Sequence, residues 1–223
     1  MITFIFIESR YYKAGEYCLS KVRESYPNAK IDFYIDYNQI KLEDYKKFRK
    51  KFNCNFIVRK TVVGGLNQNN SLKENLPKMI EIFDRIYQTC INSKDEWVLI
   101  LEDDVLIKQS IKIFPTKEGG HSAAARGFGG GSIFKRKKFI DVYDSIRNAS
   151  LEAIIRTEHH YSWAGDGLLY MLFNMDSPGC CEVWNDHYDL PYDVSDNIIS
   201  LIKNTDYAVY HNYKELYNIK NDI

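Results

Sequence analysis

Five consecutive apolar residues, Trp97-Val98-Leu99-Ile100-Leu101, are followed at once by three acids, Glu102-Asp103-Asp104. A strand with one face in water alternates polar and apolar residues. A nearly unbroken run, here Glu96–Leu101, belongs instead to a strand covered on both faces, as in a parallel sheet between helical layers. Parallel strands need crossover connections, and the preceding residues supply them. Strand patterns over Ile2–Ile7, Ile31–Ile35 and Asn55–Arg59 alternate with helical patterns over Ala14–Tyr26, Leu42–Phe52 and Leu76–Ile91. The third helix has apolar residues at 76, 79, 80, 83, 86, 87 and 91, the clearest helical period in the chain. The expected fold class is therefore α/β.

Beyond the acids the pattern loosens into a small-residue stretch, Gly119–Ser132, which reads as a mixture of strand and tight loop. Helices follow over Lys137–Asn148, Asp166–Phe173 and Ile198–Lys203, with strands at Cys181–Trp184 and Tyr207–Tyr210. The basic run Lys135-Arg136-Lys137-Lys138 reads as the start of a solvated helix. No linker divides the 223 residues, so one domain is expected over 1–223.

Thirty basic and thirty acidic side chains cancel, so no global field draws in nucleic acid or an anionic membrane. The apolar N-terminal segment is too short for a membrane span and has neither the basic flank nor the cleavage site of a signal peptide. Five cysteines, odd in number and without paired CxxC spacing, point to a reducing compartment, hence to a cytoplasmic location. There is no GxxxxGK[ST] loop, no early GxGxxG and no HExxH, which sets aside P-loop kinases, dinucleotide-dependent dehydrogenases and HExxH zinc hydrolases.

The acidic triplet is the strongest chemical signal. Adjacent carboxylates at the end of a buried strand repel one another and lose hydration, a cost that a cation removes. Magnesium and manganese favour oxygen donors, commonly one or two carboxylates completed by substrate phosphates. In open α/β sheets ligands gather at the carboxyl ends of the strands, where these acids are expected. A turn or a helix cap is the plainer reading of the same residues.

The segment Val98-Leu99-Ile100-Leu101-Glu102-Asp103-Asp104-Val105 resembles the DxD region of GT-A glycosyltransferases, with Glu in place of the first Asp. Over nearly the whole chain the pattern is similar to compact glycosyltransferase domains of large DNA viruses of the chlorella-virus type. The resemblance implies a Rossmann-like, single-domain nucleotide-diphospho-sugar transferase fold with a mixed, mostly parallel central sheet. It implies a hexosyl- or pentosyltransferase that moves a sugar from a nucleotide-diphosphate donor, a UDP-sugar, to a hydroxyl of a glycan or glycoprotein. Manganese or magnesium would be the cofactor and, for a viral enzyme, the host cytoplasm the location.

The resemblance also implies roles, with residues 1–104 as a nucleotide-binding half and 105–223 as an acceptor and metal half. Asp104 binds the metal, while Glu102 and Asp103 contact the ribose, the sugar or the metal's water shell. His211, after the last strand, is a second metal ligand, with His187 as the alternative. Ser9, Arg10 and Asp36, at the ends of the first two strands, bind base or ribose, and Lys73 approaches the diphosphate. In Trp163-Ala164-Gly165-Asp166, Asp166 is the base that takes the acceptor proton in an inverting transfer, although it would equally cap the following helix. Trp163 stacks on a sugar face, and Gly130 and Gly131 let backbone approach the donor sugar or acceptor. Two other classes would use the same features differently: a metal-dependent nucleotidyltransferase or phosphoesterase, and a carbohydrate-binding module without turnover.

Overall fold

A computed structural model describes residues 1–7, 12–37, 42–60, 72–102, 105–120, 130–148, 175–176, 184–185, 203–204 and 208–210. The first half alternates strand and helix: β1 (Ile2–Phe6), α1 (Tyr12–Ser25), β2 (Ile31–Asp36), α2 (Leu42–Lys51), β3 (Asn55–Arg59), α3 (Leu72–Ile91) and β4 (Trp97–Leu101). Then come β5 (Leu106–Ile107), β6 (Gly119–Gly120), β7 (Ile133–Lys135), α4 (Arg136–Asn148), β8 (Met175–Asp176), β9 (Trp184–Asn185) and β10 (Val209–Tyr210).

Seven strands form the main sheet in the order β3-β2-β1-β4-β7-β6-β8, and a small sheet has the order β5-β10-β9. In the main sheet β3–β2, β2–β1, β1–β4 and β6–β8 are parallel, whereas β4–β7 and β7–β6 are antiparallel. The sheet is thus mixed and mostly parallel, as expected. Because β4 pairs directly with β7, the two sequence halves share one sheet.

Alternation along the buried strands sorts their side chains into two helical layers. Phe4, Phe6, Phe33, Ile35, Leu99 and Leu101 face Leu19 and Val22 of α1 and Tyr45 and Phe48 of α2. Ile5, Tyr34, Val98, Ile100 and Phe134 face Met79, Phe83, Ile86 and Cys90 of α3 and Phe139 and Tyr143 of α4. All five residues of β4 are buried, which is why that strand can be apolar throughout. Tyr87 and Tyr143 stack with centroids 3.7 Å apart and planes 10° apart, joining α3 to α4.

Several boundaries differ from expectation. Helix α3 starts at Leu72, with Pro77 inside it rather than near its start, so one internal hydrogen bond is missing. Ile91, expected on its apolar stripe, is 44% exposed, and the buried row instead includes Glu81, Arg85 and Thr89, spaced four residues apart. The basic run is not simply solvated. Arg136 donates to the carbonyl of Cys90, in the last turn of α3, at 3.1 Å and to that of Asp95 at 2.8 Å. The strands β5, β7 and β8 are additional short elements, while β6 lies in the stretch expected to mix strand and loop. Of the expected strand at Cys181–Trp184 only Trp184 is described, and the expected helix Asp166–Phe173 lies outside the described residues.

Candidate active site

The chain crosses from the β3 edge back over β1 to form β4, so the direction of winding reverses between β1 and β4. Doubly wound sheets open a crevice at such a point, outside the carboxyl ends of the strands. The β1–β4 register ends with Phe6 opposite Leu101. Ile7 and Glu102 therefore come next, side by side at this edge.

Glu102 is half-buried, and its Oε1 accepts a hydrogen bond from the N–H of Gly130 at 3.0 Å. The fit is close. A Cβ added to Gly130 would lie 2.9 Å from Glu102 Cδ and 3.0 Å from Cγ. The next residue, Gly131, has φ of 79° and donates to the carbonyl of Ile100 at 2.8 Å, while the N–H of Ile100 donates to the carbonyl of Ser132 at 2.9 Å. Two residues on one strand thus oppose one on the other, with a left-handed glycine first, which defines a G1 bulge. Gly131 is needed for its backbone angle and Gly130 for its lack of a side chain. Gly130 and Gly131 are a built part of the sheet end, held against the first acid of the triplet.

The Ser132 hydroxyl is buried and has no hydrogen-bond partner among the described residues. Leaving a buried hydroxyl unsatisfied costs about 1–3 kcal/mol.

Asp36 differs from expectation. Its side chain is 0% exposed and its Oδ1 accepts from Arg85 Nη2 at 2.5 Å. A carboxylate with no accessible surface is not placed to touch a ribose or base, so the geometry argues against a direct donor contact for Asp36. Arg85, also 0% exposed, donates through Nη1 to the carbonyl of Ile7 at 2.6 Å and through Nε to Glu81 Oε1 at 3.0 Å. Glu81 is held from its other side by Arg59, whose Nε and Nη2 lie 2.6 and 3.0 Å from its two oxygens. Burial alone would raise the Glu81 pKa, but the hydrogen bonds from Arg59 and Arg85 outweigh it and hold the carboxyl below its ordinary range. The partner effect appears on Arg59, whose pKa is raised first by its hydrogen bond to Glu81.

Sequence reasoning missed these three network residues. A Glu followed four positions later by an Arg on a helix normally reads as a solvent-facing pair. The available signal was their phase beside Met79, Phe83 and Ile86. Tyr37 was also missed; it stands 64% exposed just after β2 at the same edge.

In the small sheet, β10 runs antiparallel to β5, with Val209 opposite Ile107 and Tyr210 opposite Leu106. The described end of β10 thus approaches Val105, the residue after the acidic triplet. Ser9, Arg10, Asp103, Asp104, Trp163, Asp166, His187 and His211 lie outside the described residues, and Lys73 is described only as a backbone position in α3. Among the described residues there is no group of three or more His, Cys, Asp or Glu that could hold a metal. No helix among them is long and apolar enough to cross a membrane.

No protein-family profile and no curated protein matches the sequence. Solved structures do show similarity. The glycosyltransferase GlyE of Streptococcus pneumoniae TIGR4 aligns with a TM-score of 0.47 and 15% identity, over 79% of this chain and 44% of that one. The chain therefore spans less than half the length of that protein. The galactosyltransferase LgtC, solved with donor and acceptor sugar analogues, has a TM-score of 0.47 and 14% identity, over 79% of this chain and 73% of that one. Mouse xyloside xylosyltransferase 1 has a TM-score of 0.47 and 12% identity, over 95% of this chain and 98% of that one.

Proposed function

We propose that this chain is a metal-dependent glycosyltransferase that moves a sugar from a nucleotide-diphosphate donor, UDP-linked, to a hydroxyl of a glycan or glycoprotein. The observation that carries this reading is the position of the acidic triplet. It begins with Glu102 directly after the buried central strand β4, beside the end of β1, where the winding reverses.

The residue types fit a hard divalent ion, because Asp104 offers carboxylate oxygen and His211 an imidazole nitrogen, a set that manganese or magnesium accepts with phosphate oxygens. The approach of β10 to Val105 supports pairing these two residues as ligands. Bound there, the cation would offset the negative charge that develops on the departing diphosphate. Asp103 would contact the donor, and Ser9 and Arg10 would hold its base or ribose. Lys73 would act as a point charge toward the diphosphate. The exposed ring of Tyr37 offers a face for the base.

Glu102 would take a narrower role than a direct ligand. Its carboxylate accepts from the Gly130 N–H, and would so hold Gly130 and Gly131 beside the donor sugar. Asp166 would remove the acceptor proton as the hydroxyl attacks the anomeric carbon from the face opposite the diphosphate, giving inversion. Trp163 would stack on the acceptor sugar.

The test is a thermal-shift screen of nucleotide sugars with and without manganese, since a donor that binds only the folded state raises its melting temperature by mass action. A manganese-dependent shift with UDP-sugars is expected. No shift with any nucleotide sugar, in either condition, removes the reading.

A further inference from the structure

Arg85 is a fully buried cation at the candidate donor edge, and its hydrogen bonds reach different structural elements. One goes to the carbonyl of Ile7, just past β1, one to Asp36, the last residue of β2, and one to Glu81 on its own helix. Glu81 passes the connection to Arg59, the last residue of β3. The ends of three neighbouring parallel strands are thus tied to α3 through one chain of charge-assisted bonds. The Arg85 guanidinium also lies over the ring of Tyr34, 5.8 Å from its centroid.

Two arginines and two acids balance in charge, yet burying Arg85, Asp36 and Glu81 is costly. A well-packed apolar cluster of similar volume is often at least as stable as a buried ionic one. What an apolar cluster would not supply is direction, since the planar guanidinium fork fixes the mutual placement of the groups it bonds. The groups fixed here are the ends of β1 and β2, from which the chain passes to residues 8–11 and 38–41.

We propose that Arg85 is a positioning residue for donor binding. Through Ile7 and Asp36 it sets the strand ends that carry the nucleotide-contacting residues, without touching the nucleotide itself. This rests on the donor-binding reading of that edge. Lysine keeps the charge but lacks the fork, so it cannot hold Ile7, Asp36 and Glu81 in the same arrangement.

The experiment compares Arg85→Lys with wild type in the full chain, by amide hydrogen exchange and by steady-state kinetics with a UDP-sugar that wild type uses. Exchange is expected to quicken roughly tenfold in residues 8–11 and 37–41 and to stay unchanged in α4, as local opening would give. Donor KM should rise roughly ten- to a hundredfold, with kcat changing by less than about threefold, because donor placement and not chemistry is lost. A folded Arg85→Lys variant with wild-type exchange in those segments, or with wild-type donor KM, overturns the proposal. Loosening spread evenly over α4 and the sheet, with KM and kcat failing together, shows a merely structural role and also overturns it. Should Arg85→Lys not fold, Glu81→Gln breaks the chain one link further out and is held to the same outcomes. Failure of the transferase reading shows separately, as a wild-type protein that binds no nucleotide sugar. The exchange comparison then still decides whether Arg85 sets the ends of β1 and β2.

Discussion

Replacing Gly130 with alanine tests how tightly the glycine segment is built onto the acidic strand end. The backbone of Gly130 is not in the left-handed region, since the positive-φ glycine described is Gly131, so an alanine there meets a problem of contact and not of torsion. Its Cβ would lie 2.9, 3.0 and 3.1 Å from Cδ, Cγ and Cβ of Glu102. Carbon atoms are comfortable at about 3.5–4.0 Å. Rotating the Glu102 side chain would move Cδ and Cγ away, but it would leave the Cβ contact and break the bond to the Gly130 N–H. That bond involves a charged acceptor, so its loss costs about 1.5–3 kcal/mol. Restricting the unfolded chain returns about 0.4–1 kcal/mol. The net expectation is a loss of about 1–2 kcal/mol. Urea unfolding of Gly130→Ala, Glu102→Ala and the double variant measures it. Because Glu102→Ala removes both the clashing Cγ and Cδ and the hydrogen-bond acceptor, the double variant should be less destabilised than the sum by about 1 kcal/mol. A Gly130→Ala protein within about 0.5 kcal/mol of wild type, or a strictly additive double variant, would refute the reasoning.

Two further outcomes follow from the same geometry and reading. The folded-state pKa of Glu81 is depressed, so its contribution to stability is complete above its unfolded value near 4.5 and is lost as pH falls through the lower folded value. The stability difference between wild type and Glu81→Gln, followed by urea unfolding from about pH 6 downward, should therefore shrink as the solution becomes acidic; a difference that stays constant contradicts the depressed pKa. For Asp166→Asn, donor binding should stay near wild type while transfer falls roughly a hundred- to ten-thousandfold, the usual weight of a general base. Undiminished turnover would dismiss Asp166 from that role.

The first half of the fold was legible because its signals are long and periodic. Strand β3 falls on Asn55–Arg59 as expected, and β4 needed only its apolar run. The second half was less legible because its strands are only two or three residues long, too short for alternation to register. Ile133-Phe134-Lys135 lies between glycines and a basic run, and it becomes β7 only because β4 offers it a partner. The buried row Glu81-Arg85-Thr89 was invisible for another reason: polar residues on a helix read as solvent-facing unless their partners are known, and here those partners are Arg59, Ile7, Asp36 and the hydroxyl of Tyr34. The burial of Asp36 was invisible by the same logic, since a strand-end acid gives no sign of the arginine that lies against it. Glu102 follows β4 directly, as the apolar run implied, but its attachment to Gly130 depends on a register between segments 28 residues apart.

The central claim, that the acids after β4 hold a metal-bound nucleotide sugar, is tested most directly by calorimetric titration of a UDP-sugar into wild type and Asp104→Asn, each with and without manganese. Wild type should bind only with manganese, and Asp104→Asn should lose that metal-supported binding while keeping the wild-type circular dichroism spectrum. Equal manganese-dependent affinity in the two proteins would contradict it.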